Sequence, residues 1–337
     1  MKDKITLSHG SGGRLSHELI RDLFVSYFNN PILNSQTDSA ILETPLENTA
    51  FTTDSYVVDP IFFPGGDIGK LAVCGTVNDL AVSGAVPMYI SVGFIIEEGF
   101  DLESLEKIVS SMADEAKKAN IQIVTGDTKV INKGKADKIF INTAGIGKLE
   151  PARKNMSFGK YIQPGDQIII NGDLGRHEIA IMTSREDLGL KTQIESDCAS
   201  LNHLIEKAVS RTPKIRFIRD ITRGGLATIL NEIVTDKKYG IELKEEAFPV
   251  NEQVKSICEM LGLDPLYMAN EGRIMMIVAK EDSKEVVDIL RSDPLGENAQ
   301  IVGEIKENNT GRVVMETEIG GKRIIDMLTG QQLPRIC

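Results

Sequence analysis

The sequence has no tryptophan, and aromatic residues make up only 5% of its 337 residues. It also lacks any apolar run near the roughly 18 residues that a membrane-spanning helix requires. Its first residues, MKDKITLSHG, contain no apolar core of the kind that a signal peptide has. These absences favour a cytoplasmic protein with no membrane partner.

Basic residues are fewer than acidic ones. Lys and Arg total 38 against 49 Asp and Glu, which gives a formal net charge of −11. Nucleic-acid binding relies on clustered Lys and Arg side chains, and the sequence shows no such cluster. We therefore expect no nucleic-acid partner, whereas an acidic chain suits a site that gathers divalent cations.

Zinc-type patterns of cysteine and histidine are also absent. The four cysteines lie far apart with no C-x-x-C pair, and the four histidines show no zinc-ligand spacing. Cys74, Cys198 and Cys258 occur in apolar or helix-like surroundings, which predicts buried, inert thiols. Cys337 differs because it is the last residue of the sequence.

The hydrophobic fraction of 41% and the charged fraction of 26% are those of a globular protein, and the length predicts roughly two domains. Apolar, β-branched runs alternate with amphipathic segments in both halves, which predicts an α/β (α+β) fold. Strands are expected at residues 51–58, 88–96, 121–125, 138–145, 167–170, 241–244, 273–279, 299–304 and 312–318. Helices are expected at residues 68–84, 176–185, 197–211, 225–236 and 283–291, and from Asp101, which is a plausible N-cap.

The pattern breaks near residues 151–165, where Pro, Gly and basic residues concentrate. We therefore place an N-terminal domain at residues 1–152 and a second α/β domain at residues 153–325. Residues 326–337 lose all periodicity and are expected to form a mobile tail. Within the helix expected at 68–84, Gly69 and Gly75 cost about 1 kcal/mol each relative to Ala, so a close backbone or a ligand is one possible reason for them.

Aspartates recur at the ends of strands and in turns. Capping and turn formation explain many such residues, but several of these interrupt apolar runs, where an unpaired charge is costly. Convergent carboxylates are tolerated when Mg²⁺ neutralises them, and Mg²⁺ takes one or two carboxylates together with substrate phosphates. The predicted metal ligands are Asp38, Asp54, Asp79, Asp127 and Asp220.

A glycine-rich segment near the N-terminus precedes a helix-like run from Leu15. Small residues allow backbone N–H groups to surround an anion, and a following helix dipole favours phosphate; a flexible turn is the alternative. The sequence has neither a Rossmann glycine pattern nor a Walker A loop, because residues 65–70 (GGDIGK) are followed by Leu71 and not by a hydroxyl residue. The predicted phosphate-binding residues are His9, Gly10, Ser11, Gly12 and Gly13, with Asp54, Asp79, Asp127 and Asp220 beside them.

Taken together, these motifs resemble the HypE family of hydrogenase maturation factors. The resemblance rests on HGSGG, TTDSYVVDPIFFPGGDIGKLAVCGTVNDLAVSGAVP, GDTKV, ESDCASLN, RFIRDITRGGLATILNEI and the ending PRIC, and it covers nearly the whole chain. One departure is Glu178 after His177, where the family pattern has glycine. The internal motifs are shared with aminoimidazole ribonucleotide synthetase, thiamine monophosphate kinase and selenophosphate synthetase.

The resemblance implies a two-domain enzyme that uses ATP and Mg²⁺ and forms a homodimer through its N-terminal domains. It implies that the carbamoyltransferase HypF carbamoylates Cys337. ATP would then drive dehydration of the thiocarbamate to a thiocyanate. The cyano group would pass to iron on a HypC–HypD complex for [NiFe]-hydrogenase.

The resemblance also suggests roles for three residues near the expected site. Lys129 could stabilise charge on the transferring phosphoryl group, although a solvated surface lysine is the alternative. Glu271 is the candidate base, with an ordinary turn acid as the alternative, and Asn270 could orient the thiocarbamate. Two other functions remain open: a small-molecule kinase or synthetase of the same superfamily, and a non-catalytic scaffold that presents Cys337.

Overall fold

The structure is a computed structural model that describes residues 4–10, 14–34, 48–185, 192–328, 333 and 335–337. The described residues form two large β-sheets and a two-stranded hairpin, and helices pack on each large sheet, which confirms the predicted α/β class. In these ranges no helix combines the length and the apolar character needed to cross a bilayer.

The N-terminal half is built on a four-stranded sheet with the order β1-β6-β4-β5. Strands β4 and β5 are parallel, and the other neighbours are antiparallel. A short hairpin, β2 (Phe62–Phe63) with β3 (Gly66–Asp67), lies outside this sheet. The four strands are β1 (Thr49–Tyr56), β4 (Ala85–Glu97), β5 (Gln122–Ile131) and β6 (Ile139–Leu149).

Helices α4 (Ile68–Val82) and α5 (Leu102–Ala119) pack against the N-terminal sheet and each other. The predicted N-cap of α5 is confirmed, because the Asp101 carboxylate accepts a hydrogen bond from the Ser104 N–H at 2.8 Å. Shorter helical segments precede them at Arg14–Leu19 (α1), Ile20–Val25, Ser26–Phe28 (α2) and Pro31–Asn34 (α3).

The two glycines of α4 allow close packing. A Cβ at Gly69 would lie 2.5 Å from the Ile108 carbonyl oxygen, and a Cβ at Gly75 would lie 2.2 Å from the Tyr56 hydroxyl. Of the two reasons expected from the sequence, the structure therefore shows tight packing against protein atoms.

The second face of the N-terminal sheet is not covered by any segment that the structure describes. The strand registers place Phe51, Ile95, Asp127 and Lys129 on this open face. Phe51 is 70% exposed and Ile95 is 43% exposed. An apolar sheet face of this kind is typical of an interaction surface.

The C-terminal half is built on a seven-stranded sheet with the order β13-β12-β9-β11-β7-β10-β8. Strand β10 (Ile274–Val278) is buried along its whole length. Helices α7 (Asn202–Val209) and α10 (Lys280–Arg291) pack on one face of the sheet, and α8 (Gly225–Val234) packs on the other. The strands are β7 (Gln167–Ile170), β8 (Ile215–Asp220), β9 (Gly240–Lys244), β10 (Ile274–Val278), β11 (Gln300–Lys306), β12 (Val313–Glu316) and β13 (Lys322–Ile325). The helices are α6 (Arg176–Thr183), α7 (Asn202–Val209), α8 (Gly225–Val234), α9 (Glu252–Leu261) and α10 (Lys280–Arg291).

One predicted helix begins later than expected. Residues 197–201 are not helical, and α7 begins only at Asn202. These residues instead run between the two halves, where the Asn78 side chain accepts from the Leu201 N–H at 2.8 Å and donates to the Ala199 oxygen at 3.0 Å. Contacts with α4 thus replace the backbone bonds of a helix.

Candidate active site

Three of the predicted aspartates converge between the two halves of the chain. Asp54 lies on β1, Asp79 on α4 and Asp220 at the end of β8. Burial, followed by the negative charges of Asp79 and Asp54, raises the pKa of Asp220 to about 7. Burial also raises the pKa of Asp79, whose carboxylate accepts a hydrogen bond from the Thr52 hydroxyl at 2.8 Å.

The donor set of this aspartate cluster fits a hard cation that keeps other oxygen ligands. Within the described part of the chain, no three His, Cys, Asp or Glu side chains lie close enough to hold a metal ion by themselves. Mg²⁺ does not require such a cage, because it is commonly bound by one or two carboxylates, water and phosphate oxygens. The mutual repulsion of the three carboxylates is relieved by such a cation.

In a single copy of the chain, Asp127 lies away from this aspartate cluster. Asp127 lies on β5, at the opposite edge of the sheet from β1, so three strand spacings of about 4.8 Å separate the two strands. It forms an exposed ion pair with Lys129, with 3.1 Å between Nζ and Oδ2. Exposed pairs of this kind add little to stability, so both groups remain available to a ligand.

The glycine-rich segment lies near Asp127 as far as the structure describes it. His9 is buried, and its Nδ1 accepts from the Thr6 N–H at 3.0 Å. His9, Phe24, Asp127 and Lys129 line a cavity of about 240 Å³ whose walls are mainly apolar. Gly10 ends a short helical turn, whereas Ser11, Gly12, Gly13 and Asp38 lie outside the described residues.

Glu271 lies in a buried loop between the two halves. Its N–H donates to the Asp197 carboxylate at 3.3 Å, and its carbonyl oxygen accepts from the Asn78 amide at 3.4 Å. Burial raises the pKa of Glu271 well above its ordinary value, and the charges of Cys198, Asp220 and Asp197 raise it further. A carboxyl group with a raised pKa is suited to general-base catalysis near neutral pH.

The Asn270 side chain is hydrogen-bonded to the backbone around its own loop. Its Oδ1 accepts from the Gly175 N–H at 2.8 Å, and its Nδ2 donates to the Met268 oxygen at 3.0 Å. The side-chain oxygen is therefore already used by the backbone, and Asn270 fixes the loop that carries Glu271.

The end of the chain is bound inside the molecule. The Val57 N–H donates to the Cys337 carbonyl oxygen at 3.2 Å. The Nε2 of His177 lies 2.7 Å from the Ile336 carbonyl oxygen, and Ile336 is buried in the N-terminal core. Burial, and then the charge of Glu271, raises the pKa of the Cys337 thiol to about 12.

Arg335, the residue before Ile336, is held through both its backbone and its side chain. The Arg335 carbonyl oxygen accepts from Arg185 Nη2 at 2.9 Å and from the Asp59 N–H at 3.2 Å. The Arg335 guanidinium donates to the Val57 oxygen at 2.9 Å and pairs with Asp137. Contacts from five residues to the last three residues thus define one bound position of the tail; the five are Val57, Asp59, Asp137, His177 and Arg185.

A larger cavity, of about 490 Å³, lies behind Glu271 between the two halves. Asp197, Cys198 and Arg273 line it from the C-terminal half, and Lys118 lines it from α5. Asp197 and Arg273 pair at 3.5 Å, so these charges mainly compensate each other. The cavity is polar, but Cys337 and the aspartate cluster do not line it.

Several residues of this site were not predicted from the sequence. His177 and Arg185 bind the tail but stand in none of the motifs quoted above. Asn78 and Asp197 stand in quoted motifs, but their role in fixing the Glu271 loop was not predicted. Glu178 was noted only as a departure from a family pattern. Its burial behind the tail depends on the three-dimensional packing of α6 against residues 268–271.

Two family models match the chain. The N-terminal domain of AIR synthase related protein matches residues 36–149, and the C-terminal domain matches residues 163–316. A crystal structure of thiamine monophosphate kinase from Aquifex aeolicus has the same fold, with a TM-score of 0.60 and 18% identity over 92% of this chain and 99% of that one. The fold and the paired domains therefore define an AIR synthase related protein.

Closer relatives narrow this class. Carbamoyl dehydratase HypE of Rhodobacter capsulatus is 48% identical over 99% of this chain and 98% of its own length. A crystal structure of hydrogenase maturation protein HypE in complex with ATP has a TM-score of 0.93 and 48% identity, covering 98% of this chain and 99% of that one. A HypE–HypF complex structure has a TM-score of 0.80 and 46% identity, covering 92% and 99%. The chain belongs to the carbamoyl dehydratase HypE family, a family of enzymes.

Proposed function

We propose that the chain uses ATP to dehydrate an S-carbamoyl group on Cys337 to a thiocyanate. The observation that carries the proposal is the bound position of Cys337, whose thiol lies within the electrostatic reach of the buried Glu271 carboxyl group. Two findings on relatives support it, namely the carbamoyl dehydratase name and the HypE structure in complex with ATP.

The proposed reaction converts R–S–C(=O)–NH₂ and ATP into R–S–C≡N, ADP and phosphate. The carbamoyl oxygen first forms a bond to the γ-phosphorus of ATP while the bond from that phosphorus to the β,γ-bridging oxygen breaks and ADP leaves. One N–H proton is lost as the C–N double bond forms. The C–O bond then breaks, phosphate departs with the bonding pair, and the second N–H proton passes to the departing phosphate as the triple bond forms. Glu271 accepts a proton because burial has raised its pKa and therefore its basicity.

The aspartate cluster would hold the metal that accompanies ATP. Mg²⁺, when bound, neutralises charge on the phosphates. Asp54, Asp79 and Asp220 supply the carboxylates, and Asp79 is held in place by the Thr52 hydroxyl. The apolar cavity at Phe24, with His9 and Lys129 at its rim, would accept part of the nucleotide.

We propose that two copies of the chain complete this site. The open sheet face carries exposed Phe51 and Ile95, and β1 and β5 are both edge strands. Pairing β5 of one copy with β1 of the other would bring Asp127 and Lys129 towards the Asp54 of the second copy. Burying this apolar face would also supply the driving force for a homodimer.

A mixture of two inactive variants tests this shared site. Asp127→Asn and Asp79→Asn damage opposite sides of the proposed interface, so each mixed dimer has one intact site. Refolding or exchanging an equal mixture should restore roughly a quarter of parental ADP release. Each variant exchanged with itself is the control, and a mixture as inactive as its components would contradict the shared site.

The tail must leave its bound position for the carbamoyl group to be attached. A thiol with a pKa of about 12 contains very little thiolate at neutral pH, and the thiolate is the nucleophile. We propose that the released tail accepts the carbamoyl group from HypF, which the HypE–HypF complex of relatives supports. The cyano group would then pass to iron on a HypC–HypD complex, as a ligand for hydrogenase.

Intact mass spectrometry tests the proposed function. The purified chain is carbamoylated, either with HypF or chemically with cyanate, and Mg-ATP is then added. The expected result is one carbamoyl adduct on Cys337 that loses the mass of one water only when ATP is present. The Cys337→Ala variant is the control, and ADP release without this loss of water would favour a small-molecule kinase.

A further inference from the structure

The cavity of about 490 Å³ behind Glu271 is lined by a buried arginine that is only partly used. Arg273 is 8% exposed. Its Nε donates to the Asp173 carbonyl oxygen at 2.9 Å and its Nη1 donates to the Gly272 carbonyl oxygen at 3.0 Å, but its Nη2 bonds no described residue. A buried arginine nitrogen at the wall of a cavity, with no acceptor from the protein, indicates a position for an acceptor from outside the chain.

Neighbouring residues fix this guanidinium without using its Nη2. A Cβ at Gly172 would lie 3.1 Å from Cζ and 3.2 Å from Nε of Arg273, so the glycine leaves room for the group. The Asp197 carboxylate lies 3.5 Å from Nε, and it also accepts from the N–H groups of Glu271 and Gly272 at 3.3 Å. Asp197 is therefore engaged with Nε and with the backbone, and Nη2 remains free for a ligand.

The N-terminus of α7 opens on the same cavity. Leu201, which precedes this eight-residue helix, provides no side-chain cap. The N–H groups of residues 202–204 donate to no described residue, whereas the Ile205 N–H already donates to the Leu201 oxygen at 2.9 Å. Ser200, His203 and Leu204, at this end of the helix, line the cavity. Free N–H groups and the helix dipole together favour an anion at such a position.

The hydrogen-bonding groups left unused around the cavity are mainly donors. Four of the five carboxylates that line it already accept hydrogen bonds from the protein, namely Glu115, Asp173, Asp197 and Asp293, and the fifth, Glu297, is exposed. By contrast, the guanidinium of Arg176 uses only its Nε, which donates to the Glu195 oxygen at 3.2 Å. Hydrogen bonds from arginine to an anion are stronger than those between neutral groups.

We propose that this cavity binds a phosphate group between the N-terminus of α7 and Arg273. The N–H groups of residues 202–204 and Nη2 of Arg273 donate to the phosphate oxygens, and Arg176 adds a second cation at the cavity wall. The cavity is larger than a phosphate ion, so it admits inorganic phosphate or the phosphate of a small ester. The site is separate from the reaction site, because neither Cys337 nor the aspartate cluster lines it.

Titration calorimetry of the full chain without Mg²⁺ and ATP is the direct test. Inorganic phosphate and glycerol 3-phosphate are the probes, and chloride keeps the ionic strength constant. We expect one phosphate group bound per chain, and about tenfold weaker binding in Arg273→Gln, which loses a charge-assisted hydrogen bond. Binding of either probe supports the site, and the tighter probe identifies the source of the phosphate. Binding of neither probe would overturn the proposal.

A second variant covers the case in which Arg273→Gln fails to fold. Arg176 is half-buried, and Arg176→Gln should weaken phosphate binding about tenfold while the affinity for Mg-ATP stays parental. Lys107→Gln is the matched control, because Lys107 is exposed on α5 and pairs with Glu103 at 2.7 Å. Parental phosphate affinity in Arg176→Gln would contradict the proposal. Displacement of phosphate by Mg-ATP, or its loss in Asp79→Asn, would place the phosphate in the reaction site and also contradict it.

Discussion

The Nε2 atom of His177 lies 2.7 Å from the carbonyl oxygen of Ile336. Because a carbonyl oxygen only accepts hydrogen bonds, Nε2 carries the proton, and Nδ1 accepts from the Ser196 hydroxyl at 2.8 Å. Burial lowers the pKa of His177 and keeps the ring neutral. One neutral histidine is therefore among the residues that hold the tail in its bound position.

Removing this contact should release the tail. In His177→Leu we expect the ratio of released to bound tail to rise roughly fivefold, since a hydrogen bond contributes about 1 kcal/mol. The released thiol regains an ordinary pKa near 8.5, so its rate of alkylation by iodoacetamide at pH 8 should rise by a similar factor. The rate is measured for Cys337 by peptide mass spectrometry.

Two variants control this prediction. His177→Gln retains an N–H donor at similar reach and should alkylate more slowly than His177→Leu. His203→Leu removes an exposed histidine whose ring bonds the Lys118 oxygen at 2.6 Å, and it should behave as the parent does. Equal alkylation rates in His177→Leu and the parent would show that this hydrogen bond does not hold the tail.

Replacing the base should separate nucleotide binding from dehydration. Glu271→Gln retains the shape of the side chain but cannot accept a proton, so we expect parental ATP affinity and a loss of water slowed by about 10²–10⁴-fold. Calorimetry gives the affinity, and intact mass gives the rate. Glu307→Gln, at an exposed position, is the matched control, and rapid thiocyanate formation in Glu271→Gln would remove Glu271 from the mechanism.

Asp79 should contribute to nucleotide binding only through the metal. Asp79→Asn keeps an oxygen for the Thr52 hydroxyl and removes the negative charge. We expect affinity for ATP in the presence of Mg²⁺ to fall by about tenfold or more, which corresponds to about 1.4 kcal/mol. Titration calorimetry with and without Mg²⁺ measures this difference, and an unchanged Mg²⁺ dependence would exclude Asp79 as a ligand.

Asp220 should make the stability of the metal-free protein depend on pH. Its pKa rises from 3.8 to about 7 on folding, so the folded state holds this proton more tightly than the unfolded state does. The free energy of unfolding should therefore fall as the pH rises from about 4 to about 7, by about 2–4 kcal/mol at most. Chemical unfolding of the parent and of Asp220→Asn across this pH range measures the change. The free energy of unfolding of the variant should not show this decrease.

Saturating Mg-ATP provides the converse experiment. A cation beside Asp220 favours the ionised form of this carboxylate. The difference in the free energy of unfolding between the parent and Asp220→Asn should therefore reverse in sign. The same pH dependence in both proteins, with or without Mg²⁺, would show that Asp220 does not bear the raised pKa.

The fold was largely predictable because its periodic segments are local. The amphipathic spacing after Asp101 predicted α5, and the apolar run at residues 167–170 matched β7. Helix α9 was missed although Val254, Ile257 and Cys258 form a buried stripe at helical spacing. Residues 197–201 were predicted as helix because local periodicity cannot show that their hydrogen bonds go to Asn78 on another helix.

The site was less predictable because its parts meet only through packing. Aspartates at strand ends were visible as a pattern, and three of them converge in the structure, but the pattern could not show that β1 and β5 lie at opposite edges of one sheet. The positions of His177 and Glu178 depend on where the tail binds. No local motif encodes a contact between residues 177 and 336.

Infrared spectroscopy of the carbamoylated chain would detect the proposed thiocyanate itself. A thiocyanate absorbs in a region where proteins are otherwise transparent, and carbon-13 in the carbamoyl donor shifts its band. We expect a nitrile band that appears only with Mg-ATP, shifts with carbon-13, and is missing in Cys337→Ala. ATP turnover by the carbamoylated parent without any such band would contradict the dehydration of an S-carbamoyl group on Cys337.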